Sequence, residues 1–119
     1  MALNTKSLSF CQVFVFYSGK VLSPASQQVL LDLMIHSTPG AHRIKGQLPA
    51  GTVAAHKTGT SGTNDGLTRA TNDIGIITLP NGRHLLLAVL VSDSKADEAT
   101  REQVIAATAK AAYDHWAVQ

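Results

Sequence analysis

Six consecutive residues, Lys57-Thr58-Gly59-Thr60-Ser61-Gly62, concentrate chemistry in this chain. A primary ammonium, three hydroxyls and two glycines follow the apolar run Val53-Ala54-Ala55, with His56 between. A strand ending here would deliver a cation and several small donors to one edge of a sheet. The glycines would let a ligand approach the backbone closely. Taken alone, the same run also reads as an ordinary strand end and a polar turn.

Other reactive side chains form no comparable group. His36, His42, His56, His84 and His115 show no metal-ligand spacing, so no metal and no cofactor is implied. The single cysteine, Cys11, excludes an internal disulfide and a Cys-rich zinc site. Asp73 follows Asn72 in a strand-like segment, where a sheet-bracing hydrogen bond is the expected role. Ser92-Asp93-Ser94-Lys95 has the spacing of a nucleophilic Ser-x-x-Lys but falls at a strand end, a poor place for one.

The elements that must position these residues read as follows. Ser23-Pro24 starts a helix over 24–36, with a hydroxyl cap and proline at the first helical position. Val29, Leu30, Leu33 and Met34 make its apolar stripe. Ser37-Thr38-Pro39-Gly40 ends it, and 41–49 reads as a loop. Strands are expected over 52–58, 70–79 and 84–92, with Asn64-Asp65-Gly66 in the first connection and Pro80-Asn81-Gly82 as a tight hairpin. The third strand is apolar at every position from Leu85 to Val91, which calls for cover on both faces. A helix over 97–116 closes the chain, with Ser94 as cap, Asp97 as the acidic half of a capping box, and Ile105, Ala109, Ala112 and Trp116 as the buried stripe. The fold class is therefore α+β: a three-stranded antiparallel sheet, a C-terminal helix packed on it and an N-terminal helix. Phe10 to Tyr17 is aromatic and β-branched, which favours a further strand.

At 119 residues the chain has room for one domain. Residues 1–15 form an unassigned lead-in and 16–119 one α/β segment. A net charge of +2, from ten basic and eight acidic residues, argues against a nucleic-acid or membrane-surface partner. No apolar segment approaches the ~18 residues that span a bilayer. Lys6 and the apolar residues after it have only a faint signal-peptide look.

Several stretches together carry a family resemblance. They are Phe16-Tyr17-Ser18-Gly19-Lys20-Val21-Leu22-Ser23, Arg43 through Val53, His56 through Gly62, Thr71-Asn72-Asp73-Ile74-Gly75-Ile76 and Leu79-Pro80-Asn81-Gly82. In these the chain resembles the C-terminal portion of a class A serine β-lactamase, of the extended-spectrum branch; Lys-Thr-Gly is one of that family's short motifs. The resemblance implies hydrolysis of a β-lactam antibiotic through a serine acyl-enzyme, in the periplasm or outside the cell. It casts Lys57 as positive charge near the substrate carboxylate and in the proton network, and the Thr60 N–H as an oxyanion donor. Thr58 would hydrogen-bond the substrate carboxylate, Gly59 would leave room for it, Ser61 would shape the pocket edge, and Arg43 would supply a guanidinium.

The same resemblance marks a gap. The family's nucleophilic Ser-x-x-Lys, its Ser-Asp-Asn triplet and its loop glutamate have no matching positions here. The chain alone is expected to be inactive. In the family the strand at 84–92 pairs with an N-terminal strand, so its free edge must be filled by residues 10–17 or by a second chain in a strand-exchanged homodimer. Two alternatives stay open: a non-catalytic fragment serving as an assembly or interaction module, and a penicillin-binding transpeptidase-like protein.

Overall fold

A computed structural model describes residues 15–119, and the expected helix, three strands and helix are present in order, joined by a 3₁₀ turn and a short fourth strand. Helix α1 spans Pro24–Ile35, a 3₁₀ turn Ile44–Gln47, and strands β1 Ala54–Thr60, β2 Thr63–Asn64, β3 Leu67–Thr78 and β4 His84–Ser94. Helix α2 covers Glu98–Ala117. The sheet is antiparallel, with β3 central, β1 and the two-residue β2 on one side and β4 on the other. Asp65-Gly66 makes the unforeseen β2–β3 hairpin, both residues having positive φ, as its turn demands. At the Pro80-Asn81-Gly82 turn only Gly82 has positive φ, and Asn81 instead accepts the Arg83 N–H through its side chain at 3.0 Å.

One face of the sheet meets α2 and the 3₁₀ turn. Ile44, Ala54, Ile77, Leu79, Ile105, Ala109 and Tyr113 form this core. The buried line of α2 steps by four, through Arg101, Ile105, Ala109 and Tyr113. Trp116, expected inside, is 42% exposed, and Ala112 is only half-buried. Arg101 displaces the anticipated pattern because its guanidinium is satisfied within the core: Nε donates to Thr71 Oγ1 at 2.8 Å and Nη1 to the Ala96 carbonyl. Gly75, beneath this layer, admits no side chain, since a Cβ there would lie 2.6 Å from the Ala55 carbonyl oxygen.

Helix α1 lies against β1 from the other direction. It turns Leu31, Met34 and Ile35 inward and leaves Val29 60% and Leu33 66% exposed. The expected stripe was thus only partly right. This helix is apolar on more than one side, so periodicity could not choose between faces. A cavity of about 240 Å³ remains between α1 and the sheet, floored by Val53, Ala55 and Ile76. β4 has helical cover from α2 on the Leu85, Leu87, Val89 and Val91 face; its residues are half-buried rather than enclosed on both sides. Val15–Tyr17 form a helical turn, so the strand expected over 10–17 is absent where it is described, and residues 10–14 lie outside the described residues.

The N-terminus of α2 corrects the cap. Asp97, not Ser94, occupies the N-cap, and its Oδ1 accepts the Thr100 N–H at 2.8 Å. Ser94 instead takes the Ala96 N–H. The Thr100 side-chain and backbone donors hold the Asp97 carboxyl below the usual carboxylate range. A depressed folded-state pKa contributes stability above the unfolded-state value and loses it as pH falls through the folded one. The melting temperature of Asp97→Ala should therefore lie below wild type at neutral pH, and the gap should close in acid. For the core, Ile105→Ala should cost about 3 kcal/mol in urea unfolding, whereas exposed Leu33→Ser should stay within about 0.5 kcal/mol of wild type.

Candidate functional site

The register of β1 on β3 decides which way each group of the 57–61 run points. Ser61 N–H donates to Ala70 O and Thr78 N–H to Val53 O, both at 2.9 Å. Bonded and non-bonded pairs alternate along an antiparallel ladder. The odd-numbered residues of β1 thus exchange bonds with β3, while the backbone N–H and C=O of Thr58 and Thr60 face the outer edge. Among the described residues no strand pairs with that edge. The Lys57 ammonium bends to it and donates to the outward Thr58 carbonyl at 2.5 Å.

Side chains alternate in the other direction. Lys57 and Gly59 project from the face opposite α2, and both are exposed. A Cβ at Gly59 would meet nothing within 4 Å, so the space over the strand is open there. Thr58 and Thr60 project toward the 3₁₀ side. Thr58 packs its methyl against Gly40, where a Cβ would come within 2.3 Å, and Gly40 also has positive φ. Only glycine satisfies both demands. The Ser61 hydroxyl turns back into the sheet, accepting the Ala70 N–H at 3.0 Å.

Arg43 is placed otherwise than a ligand-facing arginine. It is 4% exposed, and all three of its nitrogens donate. Nε donates to Glu102 Oε1 at 3.0 Å, Nη1 to Asn72 O at 2.9 Å and Gly59 O at 3.4 Å, and Nη2 to Thr60 Oγ1 at 2.7 Å. The guanidinium fork thus binds α2 to the end of β1 and the middle of β3. Because Thr60 Oγ1 accepts from Arg43, its own proton must point elsewhere. Sequence reasoning placed Arg43 in the neighbourhood but could not see this burial, which depends on Glu102 arriving from a helix 59 residues away.

Two further residues belong beneath the site. His56 and Asp73 have no solvent exposure, and His56 Nδ1 lies 2.8 Å from Asp73 Oδ2. Asp73 also takes the Ile44 N–H at 3.0 Å, so the bracing bond expected of it is present. The sequence sets His56 apart from the other four histidines by no spacing of its own. Its place on the inward parity of β1 was the available signal. Ser92 sits opposite Ala70 on the far strand, two strands across and four residues along from the Ile74 position opposite Lys57. Sheet spacings put it roughly 16 Å from Lys57. No cluster of potential metal ligands occurs among the described residues, and no helix there is long and apolar enough to cross a membrane.

Known proteins match this arrangement over most of the chain. The model of the β-lactamase enzyme family matches residues 15–116. The extended-spectrum β-lactamase PER-1 of Pseudomonas aeruginosa is 56% identical over 92 residues, which is 77% of this chain and 30% of that protein. β-Lactamase VEB-1 of the same organism is 43% identical over 98 residues, covering 82% and 33%. The crystal structure of a β-lactamase from Chitinophaga pinensis superposes with a TM-score of 0.87 at 50% identity, over 90% of this chain and 40% of that one. The chain thus spans about a third of the length of the curated relatives it matches. By matched span, identity and superposition together, it belongs to the β-lactamase enzyme family, with class A extended-spectrum enzymes among its relatives.

Proposed function

We propose that the outer edge of β1 is the carboxylate-binding and oxyanion wall of a serine β-lactamase site. The observation that carries this reading is directional. The Thr58 and Thr60 N–H groups face an edge with no pairing strand among the described residues, beside an exposed ammonium and an open Gly59 face. Lys57 attracts the substrate carboxylate and Thr58 hydrogen-bonds it. Gly59 leaves the strand surface clear. Ser61 shapes the rim from a hydroxyl anchored on Ala70. Arg43 acts through Thr60, holding that hydroxyl so that its proton is free for a ligand anion.

The reaction is acyl transfer. A serine oxygen attacks the β-lactam carbonyl, negative charge builds on the carbonyl oxygen, and the amide C–N bond breaks as the ring nitrogen takes a proton. Water then releases the acyl group from serine. The Thr60 N–H is one donor to the developing oxyanion, a contact of a kind typically worth about 3 kcal/mol in the transition state. The attacking serine comes from outside the described residues, since Ser92 pairs with Ala70 on the far side of β3 and lies two strands across from the outer edge of β1. Export to the periplasm or medium goes with this reading and is carried by the family alone.

A second reading has its own support. The outer edge of β4 is unpaired among the described residues, and α1 exposes Val29 and Leu33. Those surfaces suit an assembly role, including strand exchange with a second copy. A transpeptidase-like wall would share Lys57 and Thr58, but the relatives found are β-lactamases.

Titrating benzylpenicillin into the ¹⁵N-labelled chain should shift the amides of residues 57–61 first, with weak affinity. Lys57→Met should lower that affinity roughly twofold to fivefold, the worth of one exposed charge contact. The 119-residue chain should hydrolyse no chromogenic cephalosporin above the buffer rate. Shifts confined to other regions would sink the wall, and turnover abolished by Ser92→Ala would make that serine the nucleophile.

A further inference from the structure

The buried pair beneath the wall does more than fill space. Asp73 stands directly opposite Thr58 in the β1–β3 register. Its Oδ2 receives both His56 Nδ1, at 2.8 Å, and the Ile44 N–H, at 3.0 Å. One carboxylate therefore ties together β1, β3 and the 3₁₀ turn. Ile44 is the residue after Arg43, and Arg43 reaches Thr60 Oγ1 at 2.7 Å. A continuous path of short contacts leads from the imidazole to the hydroxyl at the wall's edge.

The chemistry of the pair assigns its proton. Asp73 Oδ2 already accepts the Ile44 N–H, so as the acceptor in the 2.8 Å contact it takes its hydrogen from Nδ1. His56 Nε2 then ends in the interior with no partner among the described residues. A buried polar atom without a partner is costly. Space-filling alone would be served better by an apolar side chain, so what histidine supplies here is the Nδ1 donor. Of the other charged groups, Arg43 is held by Glu102, and Arg101 is held by Thr71 and Ala96. Among the described residues neither donates to Asp73, which leaves His56 and the Ile44 N–H to orient it.

We propose that His56 and Asp73 are positioning residues for the ligand-binding wall. His56 aims the Asp73 carboxylate, and Asp73 fixes Ile44. The backbone from which Arg43 holds Thr60 is thereby set, and with it the direction of the Thr60 hydroxyl proton. The effect on ligand binding rests on the carboxylate-wall reading; the effect on Arg43 does not.

Two variants separate positioning from packing. His56→Asn keeps an N–H donor near the place of Nδ1 and removes Nε2, while His56→Leu fills the space without a donor. Benzylpenicillin affinity should fall about tenfold in His56→Leu, as expected for loss of a charge-assisted hydrogen bond upstream, and stay within about twofold of wild type in His56→Asn. The Arg43 Nε–H and Ile44 amide resonances should move in the leucine variant and hold in the asparagine one. Wild-type affinity and an unmoved Arg43 signal in folded His56→Leu would overturn the proposal, as would equal damage in both variants. Should neither variant fold, ¹⁵N spectra of the wild-type imidazole still decide: a proton on Nδ1 supports the path, and a proton on Nε2 alone ends it. If the wild-type chain binds no β-lactam, the wall reading fails, while the Arg43 and Ile44 resonances still test the positioning.

Discussion

The register between β1 and β3 is the constraint on which the rest of this site depends. Side chains and backbone groups both alternate along a strand, so a slip of one residue would exchange inside for outside everywhere at once. Lys57 would enter the core, His56 would face solvent, and the Thr60 N–H would turn into the ladder. Asp73 guards against this slip, because its carboxylate bonds His56 on the neighbouring strand and Ile44 on the covering turn. A register held by a buried carboxylate is specific in a way that apolar contacts alone are not. A shifted pairing would strand the charge without donors, at a cost of several kcal/mol.

Around that register, Arg43 converts packing into directionality. Its guanidinium is nearly enclosed and meets a carboxylate, two carbonyls and a hydroxyl. Such a network is stable only when complete, since one missing partner leaves a buried charge or donor unsatisfied. It joins α2 to the open end of the sheet, so the helix that buries the core also steadies the wall. The division of labour follows from parity. Groups facing α2 are fixed by mutual bonds, and groups on the opposite face, Lys57 and Gly59 among them, are exposed.

The surfaces that are not satisfied are equally informative. The chain spans about a third of its curated relatives, and it carries apolar residues where the described elements give no cover. Val29 and Leu33 stand out from α1, and β4 keeps an unpaired edge among the described residues. An uncharged edge from Leu85 to Val91, with no proline, lacks the usual devices against pairing. The fold therefore has one well-organised face, built on α2 and the 3₁₀ turn, and another whose apolar residues are only partly covered.

What the sequence determined by itself was local. Ser23-Pro24, the strand periodicities, the turn at Gly82 and the run from Lys57 to Gly62 placed the elements and the polar strand end, because caps, turns and motifs are set by residues a few positions apart. Resemblance supplied the family, since many separate stretches agreed. Only the tertiary structure decided which face of α1 is buried, that Arg101 enters the core in place of Trp116, and that Arg43 is enclosed. Those outcomes hang on partners far away in sequence: Thr71 for Arg101, Glu102 for Arg43, Asp73 for His56. A residue's own pattern cannot state who will meet it across a sheet. That is fixed only when β1, β3, the 3₁₀ turn and α2 close on one another.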